Sequence, residues 1–258
     1  MTATSRRRGF GFGLFTLAMV AVCIGLGVWQ LQRRVEKHAL IAALTERLAA
    51  EPVPLPPASE WNKLTAQKDE FRRVRFSATY RSGADAMVYG SGSAVRDDVS
   101  GPGTWAFIPA RLEGGGIVVI NAGFTQNTMQ DRAQQDRVVT RLITGEAADL
   151  TGYIRFPERA GLLTPSANAE KRLWFTRDHL AMARELGWGS GGQTLAPFYI
   201  DLEQPVPLSG LPKPGPLQVH LKDDHLQYAI TWFALAGALM IAFFVWWRGR
   251  RQLPASTG

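Results

Sequence analysis

FGFGLFTLAMVAVCIGLGVWQL, Phe10 to Leu31, and LQYAITWFALAGALMIAFFVWW, Leu226 to Trp247, decide the reading of this chain of 258 residues. Neither run contains Asp, Glu, Lys or Arg. As a helix, each would extend roughly 33 Å, enough to cross a hydrocarbon core of about 30 Å. The expectation is one large domain held between two membrane anchors.

Charge follows the same division. The net charge is +7, with 29 basic and 22 acidic residues. Arg6, Arg7, Arg8, Arg248, Arg250 and Arg251 lie outside the two runs, and no acidic residue accompanies them. The basic excess is thus concentrated at the flanks, which gives no reason to expect a nucleic-acid partner. Short basic tails stay on the cytoplasmic side, whereas long loops cross largely regardless of charge. Both termini are therefore expected in the cytoplasm and the main domain outside, in the periplasm of a bacterium or the intermembrane space of a mitochondrion. Arg33, Arg34 and Lys37 on the outer side weaken this bias without reversing it.

The first run is expected to stay as an anchor. It is longer than a signal-peptide core, and WQLQRR follows it where a small-residue cleavage site would stand. Val22 before Cys23 does not suit lipid attachment. Cys23 is the only cysteine, so no disulfide within one chain and no thiolate cluster can form.

The expected segments are a basic tail over 1–9, a span over 10–31, an outer helix and proline-rich linker over 32–57, and a mainly-β domain over 58–204. A proline-rich connector over 205–225, a second span over 226–247 and a basic tail over 248–258 complete the chain. QRRVEKHALIAALTERLAAE has helical spacing at Leu40, Ala43, Leu44 and Leu48, either continuing the first span outward or following it after a brief break, and the prolines from Pro52 to Pro57 end it. RRVRFSATY alternates, with Val74, Phe76, Ala78 and Tyr80 on one face. DAMVYGS, GTWAFIPARL, GIVVINAGF, LTGYIRF, RLWFT and APFYIDL read as further strands, and Gly114 to Gly116 as a hairpin connection. One helix, TRDHLAMARELG, is expected from an N-cap at Thr176 to a stop at Gly187, burying Leu180, Ala183 and Leu186; GWGSGGQ is a loop. The fold class expected is a membrane-anchored α+β chain: two transmembrane helices bracketing one mainly antiparallel β barrel or sandwich with a few short helices.

Catalytic signatures are missing. The sequence holds no HExxH, no G-x-S-x-G and no Gly-rich phosphate loop after a strand; GFGFG at the first span reads as close helix packing. The expectation is a protein that is not an enzyme. Among four histidines, His38 is expected on a solvated helix face, His179 near a helix cap or the surface, and His220 exposed. His225 stands at the mouth of the second span, followed by Tyr228 and Trp232 on the same face. An imidazole there can ligate heme iron, or serve as an ordinary interfacial anchor. Trp29, Gln30, Arg33 and Arg34 at the first span admit the same two readings.

Several segments resemble the Surfeit-locus-1 family of cytochrome c oxidase assembly factors, over nearly the whole chain. LGVWQLQRRVEK carries a W-Q-x-x-R core at Trp29, Gln30 and Arg33; GYIRFPERAGLLTPSAN, WFTRDHLAMARELG and HLQYAITWFALA follow in the family's order. Two positions depart. Asn121-Ala122-Gly123-Phe124 stands where N-R-G-W is common, and Asp223 and Asp224 stand where an Asn is frequent before the His. The resemblance implies an assembly role in the bacterial inner membrane, with heme a bound transiently and passed to the largest oxidase subunit. It implies His225 as iron ligand, with Trp29, Gln30, Arg33, Arg34, Tyr228 and Trp232 around the heme. Expected partners are that subunit, other oxidase or heme a assembly factors, and membrane lipid. The alternative it leaves open is a scaffold that binds no heme and stabilises an oxidase intermediate.

Overall fold

The computed structural model describes residues 3–83, 85–93, 95–126, 132–218 and 223–251. It divides into a helical unit, residues 1–42 with 221–258, and a β unit, residues 43–220.

The helical unit contains α1 (Ala3–Ala49), whose last turns belong to the β unit, and α5 (His225–Arg251). Both are long and apolar enough to cross a membrane. Most of their apolar side chains face outward, with Leu14, Phe15, Leu17, Ile230, Ile241 and Val245 exposed. The core helix of a water-soluble domain would bury them, so the outward apolar surface suits lipid. Of the two arrangements open for the helical stretch after the first span, α1 takes the continuous one: it runs on unbroken to Ala49, and also backward through most of the expected basic tail. Pro52 then prevents its continuation.

The two helices meet along one stripe. Val20, Cys23 and Ala236 are buried together, with Trp232 and Leu239 packed against them. Near the chain ends Phe12 lies 4.5 Å from Trp246, ring centre to ring centre. A Cβ on Gly27 would fall 2.6 Å from the Phe233 ring, so the helices approach as they do only because that side chain is absent. The GFGFG expectation is corrected accordingly. Gly11 faces open space, a Cβ on Gly13 would meet the Phe243 ring only at an ordinary 3.6 Å, and the surroundings of Gly9 lie outside what is described.

The β unit is built on a ring of five strands. These are β2 (Arg73–Tyr80), β6 (Ala147–Arg155), β8 (Leu195–Gln204), β5 (Ile117–Gln126) and β4 (Gly103–Leu112), and β4 pairs back onto β2. All pairs in the ring are antiparallel except β5 with β8. A parallel pair needs a crossover, and the chain between these strands supplies a long one. β3 (Ala86–Gly90) extends the sheet from β4, β7 (Leu173–Trp174) pairs parallel with β3, and β1 (Val53–Pro54) pairs parallel with β2. Part of the expected proline linker is thus a sheet edge, where a missing N–H costs no ladder bond. The β4–β5 hairpin turns through Gly115 and Gly116, both at positive φ, as the glycine run leads one to expect.

Alternation along the strands makes two cores. Val74, Ala78, Tyr80, Ile108, Ile120, Leu150, Ile154, Phe198 and Ile200 fill the first, with Phe76 at its margin. Phe107, Val119, Phe124 and Tyr199, on the opposite faces of the same strands, form the second with Trp174, Met182, Ala183 and Trp188. β4 and β5 are therefore buried on both faces over nearly their whole length.

The helix α4 (His179–Leu186) covers the second core. Its N-cap is Asp178, not Thr176: the Asp178 carboxylate accepts from the Leu180 and Ala181 N–H groups at 3.1 and 3.0 Å. Gly187, at φ 71°, ends it as expected. The buried stripe is His179, Met182 and Ala183, with Leu180 and Leu186 only half-buried. His179 is thus a core residue and not a surface one. Two further helices went unread in the sequence, α2 (Ala66–Asp69) and α3 (Arg132–Thr140), together with a 3-10 turn over Ala58–Lys63.

Candidate functional site at the helix pair

The site grows from the register of α1 against α5. Gln30 and His225 face each other at one end of the paired stretch, and Phe12 and Trp246 at the other. Eighteen residues of helix separate Gln30 from Phe12, about 27 Å. That length is close to the thickness of a hydrocarbon core.

His225 begins α5, and its ring Nδ1 lies 2.8 Å from Gln30 Oε1. The ring Nε2 has no hydrogen-bond partner among the described residues. Its backbone N–H donates to Asp223 Oδ1 at 3.0 Å. The other oxygen, Oδ2, accepts from His38 Nε2 at 2.6 Å and has Arg34 Nε at 3.5 Å. Gln30, Arg34 and His38 are spaced by four along α1, so one helical stripe presents all three to the start of α5. Desolvation pushes the Asp223 carboxyl up. The His225 N–H and the His38 ring outweigh it and hold the group below the ordinary carboxylate value.

Of the seven residues singled out in the sequence, the structure joins Gln30 to His225 and places Arg34 beside them through Asp223. Arg33 points elsewhere, into an exposed ion pair with Glu36 at 2.7 Å. Trp232 packs on the interhelical cluster about two turns along α5 from His225. Trp29 and Tyr228 are half-exposed on the outer surfaces of their helices. Sequence reading missed the roles of His38 and Asp223. His38 lies eight residues from Gln30, and Asp223 two before His225, and those spacings were the available signal. His220 lies outside the described residues.

The β unit gathers other residues of the quoted motifs. Arg155, of GYIRF, donates from Nε to Glu70 Oε1 at 2.7 Å and from Nη1 to Asp201 Oδ2 at 2.6 Å. Asn121 Nδ2 donates to Asp201 Oδ1 at 2.6 Å, and the Arg155 guanidinium stands 4.5 Å above the Phe71 ring. Burial opposes the charge on Arg155, but the surrounding Tyr199, Asp201 and Glu70 hold its pKa above the usual guanidinium value. Gly123, at φ 126°, lets the Lys213 backbone pass: a Cβ would fall 2.3 Å from the Lys213 carbonyl carbon. Ala122, at the position where an Arg was anticipated from the resemblance, is fully buried in the first core. Arg177 of WFTRD lies over the Trp105 ring at 4.5 Å.

Two long apolar helices at the ends of one β-ring domain, with the motif residues held in these places, define a membrane-associated class of protein. Residues 17–237 match the model of the SURF1 family. The chain belongs to that family. It is 30% identical over 242 residues to Surfeit locus protein 1 of Rattus norvegicus, a match covering 89% of this chain and 74% of the rat protein. The human protein of the same name is 29% identical over 239 residues, covering 88% and 75%. A SURF1-like protein of Rickettsia bellii is 24% identical over 241 residues, covering 91% and 90%.

Proposed function

We propose that this chain is an assembly factor for heme-a-containing cytochrome c oxidase. In this reading it holds heme a transiently near the outer face of the bacterial inner membrane and aids its insertion into the largest oxidase subunit. Family membership supports the assembly role. The observation that carries the heme reading is His225, an imidazole with an unpartnered Nε2 at the polar end of an apolar helix pair. That is the donor an iron porphyrin takes as an axial ligand. Heme a is the cargo, and the protein performs no bond chemistry on it.

The other residues have graded roles. Half-exposed Trp29, next to Gln30 in sequence, and Tyr228, one turn along α5 from His225, offer aromatic surface to an apolar macrocycle. Arg33, whose pair with Glu36 is solvent-exposed and therefore weak, can exchange that partner for a propionate at small cost. Arg34 is engaged with Asp223 and steadies the entry to α5. Trp232 supports the helix pair from below. Release to the oxidase subunit requires that the subunit bind heme a more tightly than this site does. The main domain is periplasmic and both termini cytoplasmic, following the basic flanks.

Co-expression with heme a synthesis, purification in detergent and a visible spectrum test the reading. Heme a is expected in the wild type and absent from His225→Ala. A heme-free wild type, with heme a synthesis shown to be active, would refute it.

A second reading is a scaffold that binds no heme. It is favoured by Leu162, Leu163 and Leu208, fully exposed on loops of the β unit and suited to contact with a protein partner. Under it, His225→Ala leaves oxidase assembly intact, and Leu162→Asp with Leu163→Asp abolishes it.

A further inference from the structure

We infer that Gln30 is a positioning residue for His225: it fixes the imidazole in the Nδ1–H tautomer and so presents a bare Nε2 as the ligating atom. The atom of Gln30 facing the ring is Oε1, 2.8 Å from Nδ1. An amide oxygen only accepts, so Nδ1 carries the ring proton and the lone pair lies on Nε2. Protein ligands of metals are held in this way, the remote ring nitrogen donating to an oxygen that fixes the ring and raises its basicity.

Three further observations make Gln30 a built partner. It is the single amide in the apolar run Phe10 to Leu31, it is half-buried, and its side-chain oxygen is directed to the His225 ring. Gly27, one turn below it, admits the Phe233 ring and sets the helix separation at this level. Asp223 fixes the first residue of α5 from the other side, through the His225 N–H and the His38 ring. Ring and backbone of His225 are thus both held, and only Nε2 is left without a partner among the described residues.

A bond that serves only to join the helices would be met equally by the reversed amide, its NH2 group donating to Nδ1 with the ring proton on Nε2. The ligand role rests on the heme reading above, whereas the tautomer is a property of the protein alone, so the two fail separately. The full chain in detergent, labelled with 15N-histidine and free of heme, is examined by long-range 1H–15N correlation, with His225→Ala used for assignment. His225 is expected as the Nδ1–H tautomer in the wild type and in Gln30→Glu, which keeps the acceptor. In Gln30→Met, of similar shape without an acceptor, the proton moves to Nε2.

Titration with hemin is the second readout. Gln30→Met is expected to weaken binding by roughly 10–100-fold, as for other lost partners of ligating histidines, and Gln30→Glu to restore it. The iron midpoint potential should fall in Gln30→Glu relative to wild type. A wild-type His225 carrying its proton on Nε2 overturns the inference whatever the hemin result. So does an unchanged tautomer in Gln30→Met, or equal hemin affinity in wild type and Gln30→Met. A wild type that binds neither hemin nor heme a overturns the heme reading, and the tautomer readout still decides the role of Gln30.

Discussion

Replacing Arg155 with methionine should be among the most damaging single changes in the β unit. The side chain joins two carboxylates, Glu70 at 2.7 Å and Asp201 at 2.6 Å, and the Asp201 side chain is only 6% exposed. Methionine keeps most of the stem against Phe71 and removes the charge, leaving Asp201 with Asn121 as its side-chain partner. Breaking a buried pair in this way costs about 3–5 kcal/mol, because the remaining charge is uncompensated. Set against a typical domain stability of about 5–15 kcal/mol, that is a large fraction of the whole. Arg155→Lys keeps a charge but reaches one carboxylate and loses the planar contact with Phe71, so about 1–3 kcal/mol is expected. Adding Asp201→Asn to Arg155→Met removes the stranded charge and should recover about 2 kcal/mol. Urea titration of the full chain in detergent, read by pulse proteolysis, measures these differences. A loss below about 1 kcal/mol for Arg155→Met, or a double variant as damaged as the sum of the singles, would refute the reasoning.

Acid should act on His179. It is fully buried, its Nε2 donates to the Ala196 carbonyl at 3.0 Å, and burial lowers its pKa to about 4. The unfolded chain takes up this proton near pH 6.5, so stability falls as pH drops below that value, by on the order of 3 kcal/mol at pH 4. Urea midpoints of the wild type across pH 7 to 4 should show the decline, and His179→Gln should flatten it. Gly27→Leu should drive the Phe233 ring away and separate α1 from α5, since even a Cβ would fall 2.6 Å from that ring. Cysteine pairs placed across the two helices should then crosslink less, whereas Gly11→Leu, facing open space, should leave crosslinking unchanged.

Local patterns were the readable part of this chain. The uncharged runs, the alternation of Val74, Phe76, Ala78 and Tyr80, the hairpin glycines and Gly187 at the end of α4 each have a signal within a few residues. What escaped reading depends on partners far away in sequence. Closure of the ring needs β2 to meet β4 and β8 to lie parallel to β5, and neither pairing leaves a mark inside one strand. β1 hides among prolines because its pairing to β2 spares the missing N–H groups. Burial of His179 was masked by Asp178 and Arg177 beside it, which suggest a surface. The Glu70, Asn121, Arg155 and Asp201 group was visible only as three polar residues inside apolar strands and a fourth, Glu70, just after α2, with no hint that they meet. At the helix pair, His225 and Gln30 were both singled out, but the bond between them spans 195 positions and required the fold.

The place of β8 in the ring bears on truncated alleles. β8 lies between β6 and β5 and is the last strand among the described residues. A stop codon anywhere before about residue 204 would leave two long, largely buried strands with open edges, an invitation to aggregate. Nonsense mutations that remove β8 should therefore behave as complete losses, with the product cleared by proteolysis, rather than as partly active forms lacking one anchor.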